Sequence, residues 1–333
     1  MPQTNEAPSR AGHLASTVDS LASIVTQYLT PQLLPGADLP VRQCKATFVR
    51  DAGTGRVTIR YQFDAATIVF AKRYADSLGA HSYLVQRTFW DGGFGTGSRF
   101  RVPEPVAFVP EENLFLMRES PGTPLSSLLG KGSGEWKAGV REAARWLAAF
   151  HRSPLRVGDP EPEWDSLKTF RLANRLVKAA AARPSERMLF LDLIQMLKER
   201  FVALPAGRPI VQTHGRFHHD HVFLSPGVVA VIDLDRSRPT DPAKDVAEFV
   251  RVLRLAAFRA GVEEALTDKI TDAFLAQYLA LMPDAAAGLP HYWLSFLVLS
   301  YLGHLRKAVP DGSSAAVTAF HEREIRRVSE MKP

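Results

Sequence analysis

The chain has 333 residues, 46% hydrophobic and 23% charged, enough to bury a sizeable core in one large domain or two coupled lobes. A net charge of +6 favours an anionic ligand, but Lys and Arg are scattered among 35 acids, which argues against a nucleic-acid surface. The single cysteine, Cys44, excludes an intrachain disulfide and fits a cytoplasmic setting; residues 1–12 hold no signal-peptide core, and the most apolar run, 292–305, is too short to span a membrane.

Val18, Leu21, Val25 and Tyr28 share one face of a helix expected over 14–29, which Pro31 ends. The period then changes to two. Val57, Ile59, Tyr61 and Phe63 alternate with Arg56, Thr58, Arg60 and Gln62, the pattern of a half-buried strand. Residues 41–50 read as its partner across the turn containing Gly53-Thr54-Gly55, and 67–74 as a third strand. A helix over 80–90 follows, then a hairpin of 106–109 and 114–118 around Pro110. Gly92 to Gly97 runs from helix to strand, the reverse of a dinucleotide-binding loop, and reads as a connector.

Residues 119–124 are rich in turn formers and read as a hinge. Beyond them the period is helical. Val140, Ala143, Ala144 and Leu147 form one stripe; Phe190, Leu193, Ile194, Leu197 and Phe201 a second; Val246, Phe249, Val250 and Leu253 a third; Leu266, Ile270 and Phe274 a fourth. The exception is a small hairpin, 222–224 with 228–232, joined by Ser225-Pro226-Gly227. The expected organisation is a tail and helix (1–35), a β-rich lobe (36–118), a hinge (119–124) and a helical lobe (125–333), in the α+β class.

The chemistry-bearing residues gather between positions 213 and 245: Thr213-His-Gly-Arg-Phe-His-His-Asp-His221, Ile232-Asp233-Leu-Asp235, and Asp241-Pro-Ala-Lys-Asp245. This order resembles the aminoglycoside phosphotransferase and choline kinase family, which shares the two-lobed protein-kinase-like fold. His214-Gly215, Ile232-Asp233 and Asp241-Pro242 with Asp245 match its linked motifs. Lys72, Pro121-Gly122 and Leu147-Ala-Ala-Phe-His151 are supporting matches.

The resemblance implies ATP or another NTP with Mg2+, and phosphoryl transfer to a hydroxyl of a sugar, amino sugar or amino alcohol. In such chemistry the protein mainly positions groups and neutralises charge. By the same resemblance Lys72, Gln86, Met117 and Glu119 are candidates for nucleotide binding, Asp233 and His221 for the metal, and His214 and Asp245 for support of the loop. The expected partners are a nucleotide and a small hydroxylated substrate, with neither nucleic acid nor membrane.

Three positions depart from the family pattern. Arg216 stands where the loop aspartate is expected, His221 where the loop asparagine is expected, and Gln86 where a helix glutamate usually meets the strand lysine. An arginine side chain offers donors only and cannot take a proton. Arg216 is therefore read as a phosphate contact or a partner of Asp233, leaving His218, Asp220 or Asp235 to replace the base. The alternative is a catalytically degenerate, pseudokinase-like binding protein. A minor alternative is a metal-binding protein built on His214, His218, His219, Asp220 and His221, although their spacing matches no helix-borne zinc motif.

Overall fold

Alternation of apolar and polar residues builds strands of a sheet between residues 45 and 118. The computed structural model describes Val25 and residues 45–51, 56–63, 67–160, 164–307 and 312–331. Apart from Val25, the helix expected over 14–29, Cys44 and the turn at Gly53-Thr54-Gly55 lie outside the described residues. The chain divides after Ser120 into two compact units.

In the N-terminal unit, β1 (Lys45–Asp51), β2 (Val57–Gln62), β3 (Ile68–Arg73), β4 (Pro105–Val109) and β5 (Leu114–Arg118) form one antiparallel sheet of order β1-β2-β3-β5-β4. Ile59 and Tyr61 of β2 and Val69 and Ala71 of β3 point into one core with Leu114 and Leu116 of β5. A register shift between Phe48 and Arg50 bulges β1.

Helix α1 (Leu78–Phe89) lies against β4 and β5 and begins two residues before the sequence expectation. Asp76 explains the early start, because its carboxylate accepts the Leu78 N–H at 3.2 Å. After Phe89 the chain winds into a wider turn, Trp90–Phe94, which Gly93 breaks at φ 104°.

The C-terminal unit is mostly helical. It contains α2 (Ser133–Arg152), α3 (Trp164–Ala182), α4 (Arg187–Val202), α5 (Ala243–Arg259), α6 (Glu264–Leu279), α7 (Leu289–Lys307) and α8 (Gly312–Ser329). The expected stripes become its core: α2 packs on α6, α3 on α4, and α7 on both α5 and α8. Among the described residues no helix is long and apolar enough to cross a membrane.

Two small β elements interrupt the helices. β7 (Val211–Thr213) pairs antiparallel with β10 (Arg238–Thr240). The predicted hairpin is β8 (Val222–Ser225) with β9 (Val228–Val231). The dipeptide β6 (Thr123–Pro124), read from sequence as part of an unpaired break, instead pairs with Leu224 and Phe223 of β8. Gly122 permits that approach: at φ 104°, a Cβ there would stand 2.5 Å from the Leu224 carbonyl oxygen.

Candidate active site

The loop between β7 and β8 is fixed at both ends by backbone pairing and in its middle by one aromatic side chain. Phe217 is fully buried. Its ring stacks on Trp146 of α2 at 5.9 Å and on Phe249 of α5 at 5.2 Å, and Phe249 stacks on Phe274 of α6 at 4.0 Å. Burying a phenylalanine side chain contributes about 1.5–3 kcal/mol, which anchors a loop otherwise rich in polar residues. Nothing in the loop's own spacing marks Phe217; only its apolar character among histidines is a signal.

The base of the loop hangs on Asp245. Asp241 sets that carboxylate in place by starting α5: its Oδ1 accepts the Ala243 N–H at 2.9 Å, while Arg208 Nε holds its Oδ2 at 2.7 Å. Asp245 then falls in the first turn of the helix, where a negative charge is favoured. It accepts the His214 N–H at 2.5 Å and the Gly215 N–H at 2.8 Å. His151, ending α2, adds its Nε2–H at 3.1 Å, and its Nδ1 accepts the Tyr278 hydroxyl at 2.7 Å.

Burial opposes ionisation of Asp245, but the hydrogen bonds and charge around it, led by His151, prevail and hold its pKa below the ordinary value. Burial also keeps the Tyr278 hydroxyl protonated by raising its pKa well above 10. The chain of donors therefore runs one way, from Tyr278 through His151 to Asp245. The role expected for Asp245 has this geometry behind it; Tyr278 was invisible in the sequence.

His214 is fully buried and its pKa is lowered by desolvation. Its Nε2–H donates to the Ile232 carbonyl at 2.9 Å and its Nδ1 accepts the Arg216 N–H at 3.3 Å, which together define a neutral ring. Gly215 follows at φ 79°, where a Cβ would strike the Arg236 carbonyl. His214 thus ties the loop to the strand end that carries Asp233.

Asp233 itself is one of two non-glycine residues with positive φ among the described residues, at 71°. That turn directs its carboxylate back toward the loop. Asp233 Oδ2 lies 3.4 Å from His221 Nε2, and His221 Nδ1–H donates to the Arg216 carbonyl at 3.1 Å. His221 Nε2 therefore faces a carboxylate oxygen at a separation across which a proton or a cation can be shared.

The donor set fits a divalent cation, with the backbone carbonyl behind the imidazole orienting it as is usual for metal-binding histidines. An imidazole suits manganese or zinc better than magnesium. Of the two readings of Arg216, pairing with Asp233 finds no ion pair among the described residues; the side chain is half-buried.

The remaining loop candidates separate by exposure. Asp235 is buried in the short turn Leu234–Arg236. Asp220 is exposed, 3.4 Å from His218 Nδ1 and 3.9 Å from His219 Nε2. The neighbouring His218 ring holds the Asp220 carboxyl below its ordinary pKa despite partial burial. The His218 ring lies tilted against His221 with ring centroids 3.6 Å apart.

In the N-terminal unit, Lys72 sits on β3 opposite Phe115 of β5 and Thr58 of β2. Met117 is buried on β5. Glu119 continues that strand: its N–H donates to the Ile68 carbonyl at 3.0 Å and its carboxylate takes Arg60 Nε at 3.0 Å. Gln86 is buried on α1 and donates its amide to the Pro103 carbonyl at 2.9 Å.

Residues 85–289, which include the whole loop and its supports, match the phosphotransferase enzyme family. The chain belongs to that family. No curated protein matches it in sequence. Solved phosphotransferases share its fold at low identity. A choline kinase from Cryptosporidium parvum Iowa II is 12% identical with a TM-score of 0.59, over 92% of this chain and 96% of that one. An amicoumacin kinase solved with AMP-PNP and Ca2+ is 14% identical with a TM-score of 0.60, over 96% and 97%. A thermostable mutant of aminoglycoside phosphotransferase APH(4)-Ia, solved with ADP and hygromycin B, is 15% identical with a TM-score of 0.57, over 87% and 95%. At these identities the likeness establishes the fold, and the kinase-like class expected from the sequence is the one found.

Proposed function

We infer that this phosphotransferase-family chain is a small-molecule kinase, transferring a phosphoryl group from ATP or a related nucleotide to a hydroxyl of a sugar, amino sugar or amino alcohol. The observation that carries the reading is the approach of His221 Nε2 to Asp233 Oδ2, 3.4 Å apart, beside the loop. We assign the divalent cation to this pair, where it would neutralise phosphate charge. Lys72, Gln86, Met117 and Glu119 are assigned to the nucleotide.

Arg216 replaces the expected base with a fixed positive charge, suited to a phosphate oxygen. Orientation of the acceptor hydroxyl falls to Asp220, the exposed carboxylate of the loop, rather than to buried Asp235. Loss of a well-placed base costs about 10²- to 10⁴-fold in rate, which a loose phosphoryl-transfer transition state tolerates.

Arg216 also favours a second reading, a degenerate member that binds nucleotide without turnover. Thermal-shift measurements with ATP, with and without Mg2+ or Mn2+, separate these when combined with phosphotransfer assays over a panel of hydroxyl compounds. The kinase reading expects metal-dependent stabilisation by ATP and turnover, both lost in Asp233→Asn. Binding without turnover supports the second reading, and absence of nucleotide binding defeats both.

A further inference from the structure

The loop carries three ligand-type side chains that the nucleotide metal does not use. His218, His219 and Asp220 each offer one donor atom, and the three atoms lie within 4.8 Å of one another. Metal bonds of about 2.0–2.2 Å in a tetrahedron place ligand atoms roughly 3.3–3.6 Å apart. The His218 Nδ1 to Asp220 Oδ2 separation of 3.4 Å already has that spacing, and the His219 Nε2 to Asp220 Oδ1 separation is 3.9 Å. Rotation about the side-chain torsions of His219 and exposed Asp220 closes the rest.

A second observation points to a ligand. Both histidines are more than nine-tenths buried, at 8% and 4% exposed, and His218 Nδ1, the atom that faces Asp220 Oδ2 at 3.4 Å, lacks a well-formed hydrogen bond. A buried imidazole nitrogen left in that state is costly. The His218 ring is meanwhile packed, tilted, against His221 with centroids 3.6 Å apart.

We propose that His218, His219 and Asp220 form a binding site for a transition-metal ion of the zinc class, separate from the His221–Asp233 pair. Two imidazoles and one carboxylate leave a fourth position open to water, and the exposure of Asp220 gives an entry path. The site stands on its own geometry and does not depend on kinase activity. Occupancy would withdraw Asp220 from an acceptor hydroxyl, so zinc would inhibit a kinase that uses it.

Equilibrium dialysis of the full chain against Zn2+ without nucleotide, with Co2+ absorption as a report of coordination, tests the site. The expected result is one bound equivalent, weakened at least tenfold in Asp220→Asn and in His219→Gln, and retained in Asp233→Asn. Asp220 is exposed, so its variant keeps the fold, which a cooperative melt verifies. Absence of stoichiometric zinc, unchanged binding in folded Asp220→Asn, or loss in Asp233→Asn would each overturn the proposal. None of these outcomes bears on whether ATP binds.

Discussion

In the proposed kinase, one imidazole would decide which cation the phosphate site prefers. His221 occupies the position where the family pattern has an asparagine, and its Nε2 rather than an amide oxygen meets Asp233. Magnesium is a hard ion that favours oxygen ligands, whereas manganese accepts imidazole readily. Stabilisation by ATP should therefore be several-fold more sensitive to Mn2+ than to Mg2+. His221→Asn should bring the two half-saturating concentrations closer by raising the response to Mg2+. An unchanged Mn2+/Mg2+ ratio in that variant would mean that His221 is not a ligand.

The sequence already disclosed much at this scale. His214, Asp233 and Asp245 are singled out by their spacing, and the structure brings His214 onto Asp245 and His221 onto Asp233. What spacing could not disclose is direction. The orientation of the His221 ring, and hence which nitrogen meets Asp233, depends on the Arg216 carbonyl behind it. The different environments of Asp220 and Asp235 were equally hidden, since both are aspartates near the same motif.

At the scale of elements, the loop is held by three helices that contribute from distant parts of the chain. α2 supplies His151 and Trp146, α5 supplies Asp245 and Phe249, and α6 supplies Tyr278 and Phe274. Tyr278 lies 127 residues from its partner His151, which is why periodicity revealed the helix stripe and missed the contact. β6 was missed for a related reason, because a two-residue strand has no period and depends wholly on its neighbour.

Tyr278→Phe removes one hydroxyl and leaves the buried His151 Nδ1 without its donor. The expected cost is about 1–3 kcal/mol, read as a lowered urea midpoint with an unchanged m-value. In a catalytically active chain kcat should fall more than KM changes, because the loop loses orientation rather than substrate contacts. A midpoint equal to that of the parent would remove Tyr278 from the support network.

For the whole molecule, acid sensitivity comes from buried histidines as well as carboxylates. His321 of α8 is buried against α7, where its Nδ1–H donates to the Val317 carbonyl at 2.8 Å and its Nε2 accepts the Ser300 hydroxyl at 3.0 Å. Desolvation, with smaller effects of His304, Arg251 and Arg259, lowers its pKa to about 4. The unfolded chain then binds a proton near the ordinary histidine value of about 6.5 before the folded chain does. Stability from this group is complete above about pH 6.5, declines as pH falls, and is exhausted below about pH 4. His214 and His219 shift in the same direction. A plot of Tm against pH should slope down through that window, less steeply in His321→Gln; equal slopes would place the acid sensitivity elsewhere.

The left-handed backbone at Asp233 separates folding from chemistry at the position where they meet. Aspartate, asparagine and glycine are the residues most at ease in that conformation. Only the first of them brings a charge for a cation. A lineage could thus exchange Asp233 for asparagine with almost no penalty in fold, and become silent while remaining intact. In the proposed kinase the charge of Asp233 would serve the cation, since asparagine or glycine would suit the backbone equally.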